Sequence, residues 1–287
     1  MITRTTRAGI ALTGDTAGRA TDPVVLLFHG GGQTRHAWGG ALRKFSAQAF
    51  HAVSFDLPGH GESGWVPDGN YDLDIFATSV ADVANQYTRP ALVGASLGGL
   101  SSLIAVGEGM APDASVLVLV DVTPSIEPAG TRRISDFMRL GVDGFESLDE
   151  VADAIATYLP GRKRPNDLRG LSKNVRQRGD GRWVWHWDPA FFVNVDQDAG
   201  EPTAGRFSPP GRLQSASRHV TIPTLLVRGQ TSDVVSDEGV TELRDLIPHL
   251  EVVDVAGAGH MVAGDKNDRF NDAVLSFLKR HARHAVS

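Results

Sequence analysis

Ser96 stands between Gly94 and Gly98 in "LVGASLGGLS", residues 92–101, at the point where an apolar run gives way to a helical pattern. A serine hydroxyl is a weak nucleophile until a base takes its proton and a third group orients that base. It must also be presented to a substrate. A sharp strand-to-helix turn lifts the side chain clear of the strand end, and the crowded backbone tolerates only very small residues two positions to either side. The same turn places the amide of Leu97 at a helix N-terminus, where an unpaired donor and the helix dipole stabilise a developing oxyanion. The competing reading is structural: a glycine-lined helix start with Ser96 as its cap.

A second donor is expected from "LLFHGGGQT", residues 26–34, where an apolar run ends in His29 and three glycines. Glycine lets the backbone approach a substrate closely, as in the HGGG loops that complete oxyanion holes. Gly31 is the expected donor, with Gly32 next to it at the pocket and His29 as a brace. "LLVRGQTSDVVS" then delivers Asp233 and "VDVAGAGHMV" delivers His260, each just after a strand-like run. Serine, acid, histidine is the chain order that accompanies this type of turn. Asp121, closing "SVLVLVD", is the alternative acid, since only one carboxylate can orient His260 directly.

These residues need a scaffold that brings strand ends together. Apolar runs at 24–29, 51–56, 91–94, 115–121, 224–229 and 250–255 suit strands buried on both faces. Between them, Leu73, Phe76, Ala77, Val80, Val83 and Ala84 recur at helical spacing, as do Phe270, Ala273, Val274, Phe277 and Leu278. The alternation predicts an α/β fold with a mostly parallel, doubly wound sheet, whose strand ends share one rim. It is interrupted between Pro124 and Pro223. There "SLDEVADAIATYL" offers a Ser147–Glu150 capping box with a stripe through Leu148, Val151, Ala152, Ile155 and Leu159, and a further helix is expected around Ile134, Phe137 and Met138. The expected organisation is a core formed by residues 1–123 and 223–287, with a helical cap over residues 124–222.

Composition narrows the function. The chain has 287 residues, a net charge of −6 and no basic run, which argues against a nucleic-acid partner. It has no cysteine, which removes thiolate nucleophiles, disulfides and cysteine-held metals. No apolar stretch approaches the roughly 20 residues that span a bilayer, and the first residues lack a signal-peptide core. A cytoplasmic protein with no membrane partner is therefore expected. "RWVWHWDPAFF", residues 182–192, concentrates three of the five tryptophans. Trp183, Trp185 and Trp187 are expected either to pack the core or to line an apolar pocket, and Trp38, shortly after the glycine loop, to border that pocket.

Together "HGGG" at 29–32, "FDLPGHGES" at 55–63, "GASLGG" at 94–99, "RGQTSD" at 228–233 and "GAGH" at 257–260 make the chain resemble the alpha/beta-hydrolase superfamily, in its cap-bearing lineage. The resemblance implies a cap inserted between the sixth and seventh family strands and a Ser96–His260–Asp233 triad with oxyanion donors at Leu97 and Gly31. It also marks Asp56, His60 and Glu62 as a structural turn, so no metal is expected, and no cofactor. Epoxide hydrolases and haloalkane dehalogenases of this fold attack with an aspartate, which Ser96 replaces here. Ring-fission carbon–carbon hydrolases often continue their glycine loop with a Gly-Pro-Gly turn, which is absent. The expected function is hydrolysis of a small, fairly apolar ester or lactone through an acyl-enzyme. The alternatives are a perhydrolase or acyltransferase, a carbon–carbon bond hydrolase, or a slow or non-catalytic signal-binding protein. The expected partner is a small-molecule substrate, with a homodimer compatible with the sequence.

Overall fold

The computed structural model of the chain describes residues 1–158, 164, 167–193, 209–256 and 268–282. In chain order the elements of the first half are β1 (Ile2–Thr5), β2 (Ala11–Ala17), β3 (Val24–Phe28), a 3-10 turn (Arg35–Trp38), α1 (Gly39–Ser46), β4 (His51–Phe55), α2 (Leu73–Ala84), β5 (Ala91–Ala95), α3 (Leu97–Gly107) and β6 (Val116–Val120). The segment that follows β6, where the cap is expected, contributes α4 (Pro128–Arg139), α5 (Leu148–Tyr158), β7 (Val175–Gln177), β8 (Trp183–Trp185) and α6 (Ala190–Val193). The chain then forms α7 (Arg212–Arg218), β9 (Thr224–Gly229), α8 (Asp237–Leu246), β10 (Glu251–Val255) and α9 (Asp268–His281).

The eight-stranded sheet has the order β1-β2-β4-β3-β5-β6-β9-β10. From β4 to β10 every pairing is parallel, while β1 and β2 join antiparallel at one edge. The apolar runs are continuous because both sheet faces are covered: Leu26 and Phe28 enter one core, while Val25 and Leu27 enter the other, beneath α1 and α9. After β3 the chain first adds β4 on one side and later β5 on the other. The β3/β5 boundary is thus a switch point, where a crevice opens beyond the carboxyl ends of the strands. The edge pair β1–β2 escaped the sequence reading because its residues are polar and half-exposed, with no apolar run to mark them.

Between β6 and β9 the chain forms the two helices that the periodicity predicts. Ser147 Oγ accepts from the Glu150 amide at 3.2 Å to start α5. At its first turn α4 packs Gly130 against Asp233 and Val234, and near its last turn Met138 lies over Gly32. Twelve residues, about 18 Å of helix, therefore span the sheet rim from the β9 loop to the glycine loop. The short ribbon β7–β8 was not anticipated. Residues 212–218, counted with the cap on sequence, form a helix on α3 so close that a Cβ on Gly107 would lie 2.1 Å from the Ala216 carbonyl oxygen.

Trp38 lies in the core. It is 1% exposed and packs on Phe270 under the face of the sheet opposite the cap, its ring 6.0 Å away. The run from 35 to 38 turns into a 3-10 helix, which carries the indole down beside α1. No helix among the described residues is long and apolar enough to cross a membrane.

Candidate active site

Ser96 follows β5 and precedes α3 with φ 45° and ψ −113°, a conformation that L-residues adopt only under strain. The surrounding glycines are sterically required. A Cβ on Gly94 would lie 2.3 Å from the Gly98 carbonyl oxygen, and one on Gly98 would lie 2.4 Å from that of Phe28. As the N-cap residue of α3, Ser96 makes no side-chain capping bond. Its hydroxyl is therefore not spent on helix initiation, which weakens the structural reading of this serine. The backbone amide of Ser96 donates to Val120 O at 3.1 Å, and that of Gly98 to His29 O at 3.1 Å, fastening the turn between its neighbouring strands.

The glycine loop lies alongside. Gly30 sits so close to the nucleophile that a Cβ there would be 3.4 Å from Ser96 Cβ. Its amide donates to Gln33 Oε1 at 3.0 Å, and the Gly32 amide donates to His60 Nε2 at 3.1 Å. Among the described residues the Gly31 amide, between them, has no hydrogen-bond partner, and neither has the amide of Leu97, the first residue of α3. The glycine loop and the start of α3 thus each leave one backbone donor without a partner among the described residues.

His29 braces the loop as expected. The Leu57 amide donates to its Nε2 at 2.9 Å, so Nδ1 carries the proton and donates to Gly30 O at 2.8 Å. His60 has the same tautomer, with Nδ1–H directed to Pro58 O at 2.9 Å. Burial pushes His29 down to about 4 and His60 down to about 3. Below pH 6.5 the unfolded chain protonates both imidazoles while the folded chain does not, so stability falls as the pH drops. Above pH 6.5 both states are neutral and the effect vanishes. Two such groups predict a loss of ~2.7 kcal/mol per pH unit between roughly pH 6 and 4.5. Urea midpoints measured across that range check it, and a flat profile would contradict the buried neutral pair.

Beneath the loop Arg35, 6% exposed in its side chain, reaches three carboxylates: Asp56 at 2.5 Å, Glu62 at 2.7 Å and Asp15 at 3.1 Å. Asp56 is fully buried and also accepts from the amides of Arg35 and Glu62. This is the structural turn that the "FDLPGHGES" resemblance implies, with Asp56 and Glu62 held by a guanidinium. Among the described residues no group of His, Asp or Glu has the geometry of a metal site. Arg35→Leu would leave Asp56 charged and unpaired in the core. It is expected to cost about 3–5 kcal/mol in a denaturant titration. A loss under about 1 kcal/mol would mean that water reaches the site.

The two candidate acids are differently placed. Asp121 follows β6 as Ser96 follows β5; Ala95 and Val120 are in register, and both residues beyond them take positive φ, 45° and 51°. Asp121 is 1% exposed, with Oδ1 accepting from the Gly229 amide at 3.0 Å and Oδ2 from Ser232 Oγ at 2.8 Å. Asp233, with a side chain 38% exposed, is gripped by the fork of Arg133 on α4: Nη2 to Oδ1 at 2.9 Å and Nε to Oδ2 at 2.7 Å. His260 lies outside the described residues.

The tryptophans of the cap pack on one another. Trp185 and Trp187, both buried, stack with ring centroids 4.9 Å apart, and Trp185 also meets Phe137 and Phe145 and donates Nε1–H to Leu140 O. Trp183 is half-buried, and its backbone bonds reciprocally with that of Phe145. Among the described residues, apolar side chains that approach the glycine loop include Met138, over Gly32, and Phe191, 3.9 Å from a Cβ on Gly31. Sequence reading singled out neither of these as a site residue, nor Gln33 and His60 as supports of the loop. Phe191 is the one with a signal, since it falls within the aromatic run.

The alpha/beta hydrolase family model matches residues 24–273. An esterase of Mycobacterium tuberculosis is 32% identical over 253 residues, 85% of this chain and 78% of that protein. The crystal structure of that esterase superposes with a TM-score of 0.72, covering 97% of this chain and 92% of the other. The crystal structure of E-2-(acetamidomethylene)succinate hydrolase gives a TM-score of 0.81 at 27% identity, covering 97% and 99%. The 2-(acetamidomethylene)succinate hydrolase of Mesorhizobium japonicum is 27% identical over 278 residues, 91% of this chain and 89% of that one. Sheet order, turn geometry and likeness along nearly the whole length agree, and the chain belongs to the alpha/beta hydrolase family.

Proposed function

We propose that the chain is a serine hydrolase that cleaves a small, fairly apolar carboxylic ester or lactone through an acyl-enzyme on Ser96. The observation that carries this reading is Ser96 on a strained turn, its hydroxyl unused by the helix, near a glycine loop whose Gly31 amide, like that of Leu97, has no partner among the described residues. His260 takes the Ser96 proton as Oγ adds to the carbonyl carbon, and the two amides hold the resulting oxyanion. Collapse of the tetrahedral adduct expels the alcohol, which receives that proton from His260. Water then attacks the acyl group with the same histidine as base, releasing the acid and restoring the serine.

A buried carboxylate orients a histidine better than one already held by a solvent-facing guanidinium. The geometry therefore supports Asp121 as the acid, the reverse of the order the sequence suggests, with Asp233 tethering the cap through Arg133. Apolar character of the substrate is supported by Met138 and Phe191, two apolar side chains against the glycine loop.

A panel of p-nitrophenyl esters of graded acyl length, together with lactones, tests the reading alongside labelling by a fluorophosphonate. Turnover is expected to be fastest on short acyl chains, with the probe attached at Ser96. Absence of both turnover and labelling would overturn the proposal. Hydrogen peroxide added with acetate reports peracid formation, which would assign the acyl group a different acceptor.

A further inference from the structure

Gly31 can serve an oxyanion only if its N–H is aimed, yet glycine is the residue least able to hold a backbone direction by itself. The two peptide units around it are held from outside. In the unit joining Gly30 to Gly31, the Gly30 carbonyl accepts from His29 Nδ1 at 2.8 Å and from the Gln33 amide at 3.1 Å. The carbonyl and amide of a planar trans unit point in opposite directions, so pinning the Gly30 oxygen directs the Gly31 N–H. In the next unit, joining Gly31 to Gly32, the Gly32 amide donates to His60 Nε2 at 3.1 Å. That bond also keeps the Gly32 amide from competing for an oxyanion.

The His60 ring cannot readily turn away. It is fully buried, anchored through Nδ1–H to Pro58 O, and packed by His29 at 5.1 Å, Phe191 at 5.1 Å and Phe76 at 6.4 Å between ring centroids. We propose that His60 is a positioning residue of the oxyanion hole: by accepting the Gly32 N–H it fixes the second peptide unit of the loop, so that with His29 it clamps Gly31 on both sides and leaves its amide as the free donor. Phe191 comes from the cap, so the clamp is also the place where the cap bears on the oxyanion loop. The inference rests on the acyl-enzyme reading above.

Two variants separate positioning from mere packing. Both lose the ring, but glutamine in His60→Gln can bring Oε1 to the place of Nε2, whereas the shorter side chain in His60→Asn reaches only Pro58 O. A misplaced oxyanion donor costs on the order of 10²-fold in rate. His60→Asn is accordingly expected to lose about that factor in kcat on a short p-nitrophenyl ester, with KM within about threefold. Inhibition by a trifluoromethyl ketone, whose hemiketal places an oxyanion in the hole, should weaken by a similar factor. His60→Gln should recover most of both at a similar melting temperature. Equal losses in the two variants, or ketone inhibition unchanged in His60→Asn, would overturn the proposal.

The wild type controls for the underlying reading. If it neither labels with fluorophosphonate nor hydrolyses any ester, the acyl-enzyme mechanism fails; if it does both and the variants behave alike, only the role of His60 fails. Should the variants not fold, NMR of the wild type gives the answer. A nitrogen–nitrogen coupling from the Gly32 amide to His60 Nε2 is expected, and on phosphonylation of Ser96 the Gly31 amide should shift while that of Gly32 stays. A missing coupling, or equal shifts at the two amides, overturns the assignment.

Discussion

Ser96→Ala is expected to lower ester turnover by about 10⁶-fold while leaving the melting temperature nearly unchanged. Both halves follow from the geometry. Removing the nucleophile leaves only the oxyanion donors and binding to act on the substrate. The hydroxyl makes no capping bond to α3, so its loss takes no hydrogen bond from the start of that helix. Ser96→Gly carries the argument further, because φ 45° with ψ −113° is costly for any residue with a Cβ. That variant is expected to be as inactive as alanine and about 1 kcal/mol more stable, since relief of strain outweighs the added chain entropy. Thermal melts with an ester assay on the same preparations check all three statements. If Ser96→Ala lost stability and kept its turnover, the serine would be a helix cap after all.

Asparagine substitutions at the two acids should differ by orders of magnitude. Asp121→Asn is expected to lower kcat about 10⁴-fold, the effect of an orienting carboxylate that no longer favours the correct imidazole tautomer. Its stability cost should be modest, about 1 kcal/mol, because an asparagine oxygen can still accept from the Gly229 amide and its NH₂ can donate to Ser232 Oγ. Asp233→Asn should stay within about tenfold of wild type in kcat, with its effect appearing in KM, because it removes the ion pair through which Arg133 ties α4 to the β9 loop. The pair is partly exposed, so its direct contribution to stability is small, under about 1 kcal/mol. Steady-state kinetics of the two variants decides the matter. The reverse order of effects would restore Asp233 as the acid.

The acid also shows how far a linear reading reaches. Both aspartates follow strand-like runs, and nothing in either local stretch separates them. What separates them is Arg133, a hundred positions from Asp233, together with the Gly229 and Ser232 donors that converge on Asp121 from the neighbouring strand. Trp38 makes the same point. It follows shortly after the glycine loop, and the 3-10 turn from 35 to 38 packs it on Phe270, far along the chain, beside α1. Trp185 is claimed by Phe137, Phe145 and Trp187, contacts between segments that have no periodic relation to one another.

By itself the sequence determined the central strands, the main helices and the turn at Ser96. Each of these rests on local rules: a run apolar on both faces, helical spacing, or glycines where a Cβ cannot fit. The tertiary structure decided which polar groups are already engaged. The amides of Gly30 and Gly32 are occupied because Gln33 and His60 reach them, while that of Gly31 has no partner among the described residues. His60 stands twenty-eight positions from Gly32, and a hydrogen bond across that separation leaves no pattern in the chain, since it depends on two loops meeting at a sheet rim.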